Sequence, residues 1–260
     1  MPKLLISQAP IKLKSPVYKE IMSTYLTIKK SLVDYIRVKD LKVGDKLPPE
    51  SDLAGRLNVS RLTLREALKV FREEGLIYTV HGIGTFLSSD FEQINDTLDM
   101  NLGITEMITS AGYKPGVKFF EKKLVKADMN LVKSLNVSKG SDILVCKRVR
   151  TANNKPVVYS IDYFSPSLVN TFLSSNEENI SIYACIEETL KIKIGNSLAE
   201  ITPICCTTDL AKKLEYEEGR PILVIAQVIY DQKGNPLIYS KGYFRPDCFK
   251  ISINRRRVQR

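Results

Sequence analysis

The sequence predicts two domains: a small helical domain that ends in a two-stranded hairpin, and a larger α+β domain built on an antiparallel sheet. Three observations indicate this organisation. The 260 residues are enough for two ordinary domains. Helical periodicity in the first 87 residues ends in a glycine-rich turn between two short apolar runs. A pattern of short helix, strand, turn and strand then occurs twice.

The first two helices are predicted from apolar spacing and from turn residues. Apolar residues recur at three- and four-residue steps over 17–38, as at Ile28 and Leu32. A glycine and two prolines break this helix between residues 44 and 49. A short second helix is predicted from Glu50 to Leu57.

The third helix is predicted from Ser60, its N-cap, to about Glu74. Its inner stripe consists of Leu64, Leu68 and Phe71. Arg61 and Arg65 are four residues apart and therefore share its outer face.

A hairpin follows, with strands at 76–80 and 85–87 around the turn at 81–84. This order of elements is that of a winged helix-turn-helix domain, in which the third helix enters the major groove of double-stranded DNA. The glycines of the turn allow the backbone to approach a phosphate closely.

The net charge of +10 is concentrated at the two ends of the chain. Residues 1–87 carry 15 Lys and Arg against 9 Asp and Glu, and residues 88–254 carry 20 of each. Four more arginines lie in the tail, residues 253–260. A basic excess in a small domain indicates a polyanionic partner, but a solvated surface gives the same count, so charge alone leaves both open.

The N-terminal domain resembles the GntR family of bacterial transcription regulators. The resemblance rests on LPPE at 47–50, VSRLTLREAL at 59–68, EGLI at 74–77 and GIGTF at 82–86. It implies that operator DNA is contacted by Ser60, Arg61, Thr63, Arg65, His81 and Gly82. Without the resemblance to this family, an arginine pair on a helix usually indicates a solvated face, and His81 would be interpreted as an ordinary turn residue. Many members carry Arg where this chain has Ser51, which leaves one base contact of the family unassigned.

Residues 88–101 are polar and acidic and are predicted to form the linker between a DNA-binding domain at 17–87 and a second domain at 102–252. In the second domain, residues 135–145 repeat as 214–224, and residues 156–166 repeat as 236–246. The repeats predict two hairpins. Further strands near 117–127 and 198–206, and helices near 102–111, 166–173 and 181–190, complete an α+β domain.

The two repeats differ at one strand. Arg148 and Arg150 are two residues apart and point to the same side, whereas their sister positions hold Gln227 and Ile229. If that side faces a core, two arginines require an anion to pair with. If that side faces water, the two arginines need no partner. The spacing of the residues alone does not decide between these two alternatives.

The second domain resembles the UTRA domain, the effector-binding module of the HutC branch of the GntR family. The resemblance rests on short segments such as ITEM at 104–107, RVR at 148–150, SIY at 181–183 and GRPIL at 219–223. It implies a chorismate-lyase-like fold without lyase activity, an effector pocket and a homodimer.

The resemblance also implies an effector site. The residues expected in it are Thr105, Arg148, Arg150, Ser181, Tyr183 and Tyr243. Members that bind a phosphorylated amino sugar hold the phosphate with the arginines and hydroxyls, a chemistry that suits phosphate. They hold the sugar with acidic residues, where this chain has Ser160 and Ile238. We therefore expect a small anionic metabolite and do not assign an amino sugar.

Several function classes are disfavoured. The five cysteines are odd in number and include no CxxC pair, which fits neither a disulfide framework nor a zinc site. With one His, no nucleophile–base pair is evident, and no cofactor is expected. No membrane-spanning run or signal peptide is evident, so a cytoplasmic, nucleoid-associated protein is expected.

The leading interpretation is a ligand-responsive DNA-binding repressor. The alternatives are a constitutive DNA-binding protein with a structural C-terminal domain and, more remotely, a lyase-like enzyme. The sequence assigns no role to residues 1–16 or to the basic tail.

Overall fold

A computed structural model describes residues 16–73, 75–88, 94–97, 101–175 and 178–253. Its first three helices are α1 (Pro16–Val38), α2 (Glu50–Arg56) and α3 (Arg61–Glu73). The predicted apolar stripe of α3 is buried against α1 and α2, with Leu64 and Phe71 fully enclosed. At the end of α3 the backbone of Gly75 is left-handed, with φ 68°, as the predicted stop position requires.

The predicted hairpin consists of β1 (Ile77–Val80) and β2 (Gly84–Leu87), paired antiparallel. Lys46 forms a single bridge to Phe86, so the chain before α2 lies along the outer edge of β2. The rings of Tyr78 and Phe86 stack across the hairpin with centroids 5.3 Å apart. Ile77 and Leu87 pack in the same core as the three helices, which holds the hairpin against them.

The C-terminal domain contains a six-stranded antiparallel sheet in the order β4-β5-β6-β9-β8-β7. The strands are β4 (Pro115–Lys126), β5 (Asp142–Ala152), β6 (Lys155–Phe164), β7 (Ile194–Cys205), β8 (Pro221–Asp231) and β9 (Pro236–Phe244). Each repeat forms a strand, a short helix and a hairpin, and the two repeats meet where β6 pairs with β9. The helices of the repeats are α5 (Met129–Leu135) and α8 (Thr208–Leu214).

Helices cover both faces of this sheet. On one face, α5 and α8 pack on strand residues such as Ile143, Val149 and Tyr159. On the other face lie α4 (Ile104–Ser110), α6 (Pro166–Ser174), α7 (Ile182–Ala184) and a π-helical turn (Cys185–Thr189). The single helix expected near 181–190 is thus divided.

The predicted linker contains a strand. β3 (Ile94–Thr97) pairs in parallel with β10 (Phe249–Ser252), near the end of the described chain. Ile94 is only 1% exposed and packs in the core of the sheet domain. A four-residue strand with one apolar anchor has no detectable period, which explains why the sequence predicts only a polar linker. Residues 89–93 and 98–100, like 1–15 and the tail from 254, lie outside the described residues.

The two domains touch where α1 meets the end of α4. Arg37 donates from Nη1 to the carbonyl of Gly112 (2.9 Å) and from Nη2 to the carbonyl of Ala111 (3.1 Å). Its guanidinium also lies 4.3 Å from the ring centre of Tyr113. The residues that directly follow α4 are therefore attached to the DNA-binding domain predicted from the sequence.

Candidate functional site

Helix α3 begins with a side-chain N-cap, directly before the residues of its outer face. The Ser60 hydroxyl accepts a hydrogen bond from the backbone N–H of Thr63 at 3.0 Å, which confirms Ser60 as the cap. The Ser60 and Thr63 hydroxyls also share a hydrogen bond of 2.6 Å. Arg61 and Arg65 are both exposed, as predicted for one outer face.

Arg65 has a partner that the sequence analysis did not identify. Its Nε and Nη2 both donate to Oε2 of Glu50, each at 3.2 Å. Because the pair is exposed, it contributes little to stability, but it limits the directions in which the guanidinium points. Glu50 begins α2, so α2 orients a side chain of α3. Ser51 beside it is exposed and donates to Asp52.

The hairpin turn presents His81 and Gly82 to solvent. Gly82 has φ 72°, and a Cβ placed there would meet no atom within 4 Å. Strand β1, which leads into the turn, is linked to α3 by Arg72, whose Nη1 donates to the Thr79 hydroxyl at 3.3 Å. The turn thus offers an exposed backbone next to the basic helix.

A cavity of about 90 Å³ lies between the sheet and α4, within the C-terminal domain. Five predicted residues line it: Thr105, Arg148, Arg150, Ser181 and Tyr183. Gln227 and Ile229 line it too, so the sister positions of the two arginines face the same space. The side of β5 that carries the arginines faces the interior, which resolves the alternative that spacing left open.

The two arginines are buried with incomplete pairing. Arg148 is 5% exposed and Arg150 is 1% exposed. Arg148 donates from Nη1 to the carbonyl of Ile180 (3.1 Å) and pairs with Asp162 (3.4 Å). Arg150 donates from Nη2 to the Thr105 hydroxyl (2.7 Å). In the described part of the chain, Nε of Arg148 and both Nε and Nη1 of Arg150 have no hydrogen-bond partner.

Burial and the neighbouring charge of Arg148 lower the pKa of Arg150 to about 10, although Glu106 and Asp162 oppose the shift. The group therefore remains protonated at neutral pH. A buried cation with unused donors is costly unless an anion completes its pairing. This arrangement can bind a carboxylate or a phosphate.

Two of the predicted hydroxyls already have protein partners. The Ser181 hydroxyl donates to Oε1 of Glu106 (2.6 Å) and accepts from the backbone N–H of Ala184 (3.2 Å). The Tyr183 hydroxyl donates to the Asn101 side chain at 2.7 Å. An incoming anion must therefore compete for Ser181, whereas the Thr105 hydroxyl, which accepts from Arg150, retains its own proton to donate.

The assignment of Tyr243 to the effector site is wrong. Even-numbered residues of β9, including Ser240 and Phe244, line the cavity. Tyr243 is odd-numbered and therefore lies on the opposite side of the strand. There it stacks on Tyr159, with ring centroids 5.7 Å apart, under α8.

Two cavity carboxylates were missed by the sequence analysis. Asp162, buried on β6, accepts from Arg148, from the Ser160 hydroxyl (3.0 Å) and from the Ser240 hydroxyl (2.6 Å). Glu106, in the first turn of α4, is the second. The two positions where family members carry acidic residues hold Ser160 and Ile238 here, but Asp162 and Glu106 bring carboxylates into the same pocket. Asp162 could have been identified, because it shares the strand face of Ser160 two residues earlier.

Comparisons with known proteins agree with this architecture. Residues 24–87 match the family of bacterial regulatory proteins, gntR family, and residues 110–250 match the UTRA domain. The HTH-type transcriptional repressor NagR of Bacillus subtilis is 30% identical over 242 residues, covering 93% of this chain and 94% of NagR.

The fold of this chain is also similar to that of solved transcription regulators. A crystal structure of the possible transcriptional regulator YydK of Bacillus subtilis superposes with a TM-score of 0.57 at 26% identity, covering 90% of this chain and 99% of that one. PhnF of Mycobacterium smegmatis, at 22% identity and a TM-score of 0.55, covers 86% of this chain and 97% of its own, and supports the fold alone. None of the helices in the described ranges is long and apolar enough to cross a membrane.

Proposed function

Because the chain belongs to the GntR family of transcription regulators and carries a UTRA domain, we propose that it is a repressor controlled by a small anionic metabolite. The metabolite binds at Arg148 and Arg150 and changes the affinity of the N-terminal domain for operator DNA. The protein acts in the cytoplasm on nucleoid DNA, as a homodimer on a near-palindromic site.

The observation that carries this proposal is the pair of buried arginines with unused donors. Three guanidinium nitrogens, which together carry four N–H groups, are buried beside the cavity without a partner in the described residues. Buried charged donors normally have partners, so their presence around an open cavity favours a ligand that supplies acceptors. In a purely structural C-terminal domain, these unpartnered arginine donors would destabilise the fold without serving a function.

The contacts of α4 supply a route from the cavity to the DNA-binding domain. Thr105, in the first turn, contacts Arg150, while the backbone carbonyls at the end of the helix are held by Arg37 of α1. An anion that shifts Thr105 would move the segment on which α1 rests. A ligand can control DNA binding only through such a difference in contacts between two states.

A thermal-shift screen of phosphorylated and carboxylated metabolites tests the anion site. Ligands that bind only the native state raise the melting temperature. We expect at least one anion to raise that of the wild type and to have no effect on the double variant Arg148→Ala/Arg150→Ala. The control Arg220→Ala removes an exposed arginine from the same domain and should keep the wild-type response. A double variant that responds like the wild type would place the anion elsewhere.

A further inference from the structure

An exposed leucine lies on the outer face of α3. Leu62 is the second residue of this helix and is 69% exposed. Its apolar neighbours along the chain, Leu57, Val59 and Val70, pack against the core of the N-terminal domain. Leu62 takes no part in that packing among the described residues. The stability of the fold therefore does not account for an apolar residue at this position.

The direction of Leu62 follows from the helical repeat. Each residue of an α-helix is rotated by about 100° from the residue before it. The buried residues of α3 are Leu64, Ala67, Leu68 and Phe71, and they form one stripe. By this repeat Leu62 points nearly opposite to the stripe, away from the core. In a helix that enters the major groove, such a residue of the first turn faces the base edges.

Charged side chains surround Leu62 on the surface of the helix. Arg65 and Glu66 follow it by three and four residues, which makes them its neighbours on the same side, and Lys69 lies one turn beyond. All three are exposed. The guanidinium of Arg65 is bonded to Glu50 of α2, at 3.2 Å. An apolar contact position is thus placed among groups that bind polar base edges and phosphates.

The major groove of DNA offers an apolar group that suits a leucine. This group is the 5-methyl of thymine, whereas the other exposed base atoms are mostly hydrogen-bond donors and acceptors. Contact between the leucine side chain and the methyl group removes both from water, which is favourable in proportion to the apolar area buried. A phosphate gains nothing from an apolar neighbour.

We propose that Leu62 is a specificity-determining residue that packs against the 5-methyl group of one thymine in each half-site of the operator. This inference rests on the DNA-binding part of the proposed function and is independent of the anion site. It requires a thymine beside the bases that Arg61 and Arg65 are predicted to contact. Leu62 then distinguishes operators by an apolar contact, and the arginines distinguish them by hydrogen bonds.

Replacement of thymine by deoxyuridine tests the proposal, because it removes the methyl group and keeps the pairing of the base. An operator is first selected from random duplexes with the full-length wild-type protein. Duplexes that carry deoxyuridine at one thymine position in both half-sites are then titrated by anisotropy. At one such position we expect the replacement to weaken wild-type binding about tenfold, because burial of one methyl group contributes a factor of about three to four in each half-site.

The variants assign this effect to Leu62. Leu62→Ala should bind the thymine and deoxyuridine operators within about twofold of each other. Leu62→Met keeps an apolar side chain of similar size and should retain the wild-type preference. Leu198→Ala removes a leucine of similar exposure, 63%, from β7 and should also retain it. Each result is a ratio of two affinities of one protein, so a change in the stability of a variant cancels.

The outcomes separate the role of Leu62 from the function on which it rests. Wild-type binding that is unchanged by deoxyuridine at every thymine position overturns the proposal, and so does a preference that persists in Leu62→Ala. If Arg61→Ala still weakens operator binding in either case, α3 remains the recognition helix and only the contact of Leu62 is excluded. Failure to select any site from random duplexes would overturn the DNA-binding function as well.

Discussion

At the scale of single residues, Arg61 and Arg65 are exposed on α3 but differ in their restraint. Arg61 follows the N-cap, whereas Arg65 is oriented by Glu50 from α2. A guanidinium that is already oriented loses less conformational freedom when it meets a base edge. Both side chains present donors suited to guanine, for which bidentate contacts from arginine are the commonest.

Replacing either arginine with alanine is expected to weaken operator binding by about 1–3 kcal/mol, because each good bidentate base contact contributes about that much. Gel-shift titrations on the DNA upstream of the protein's own gene measure the effect at fixed salt. Arg220→Ala, which removes a positive charge from the other domain, serves as the control. Unchanged affinity in both Arg61→Ala and Arg65→Ala would exclude α3 as the recognition helix.

At the scale of elements, the β1–β2 hairpin and the β8–β9 hairpin share one feature of their turns. Gly82 has φ 72° and Gly234 has φ 85°, and a Cβ would meet no atom within 4 Å at either position. A branched side chain is therefore strained to a similar degree in both turns, but only the first turn lies beside α3. The same substitution at Gly82 and at Gly234 therefore gives a matched comparison of a turn beside α3 with a turn away from it.

Gly82→Val should weaken binding to operator and to unrelated DNA alike, because it keeps the backbone of the hairpin turn away from the phosphates. Gly234→Val should leave DNA affinity unchanged. Anisotropy titrations give both affinities, and circular dichroism checks that the variants are folded. Equal affinities for the two variants would remove the hairpin turn from the DNA interface.

The sequence predicted elements whose signal is local. The period of β5 put Arg148 and Arg150 on one side, and the internal repeat predicted both hairpins, which the structure confirms. By contrast, β3 was missed because its pairing joins residues about 150 positions apart through four residues with one apolar anchor. Asp162 shares a strand face with Ser160, a local signal that could have identified it. Its contact with Ser240 of β9 and the contact of Glu106 with Ser181 join residues more than 70 positions apart, and no local pattern encodes them.

At the scale of the whole molecule, the cavity and the DNA-binding domain are joined by one short helix. Thr105 in the first turn of α4 contacts Arg150 of β5, and Arg37 of α1 holds the backbone after the last turn of α4. The two ends of α4 thus contact two different parts of the molecule, the cavity of the sheet domain and helix α1 of the N-terminal domain. The account therefore requires a thermodynamic coupling between anion binding and DNA binding, equal in both directions.

Operator affinity measured by anisotropy, with and without a saturating anion identified by the thermal-shift screen, tests this coupling most directly. For the wild type we expect the anion to change the operator Kd by about fivefold or more, the usual size of an allosteric coupling. For Arg148→Ala/Arg150→Ala we expect wild-type DNA affinity and no change with the anion. An operator Kd that is the same with and without a bound anion in the wild type would contradict the account.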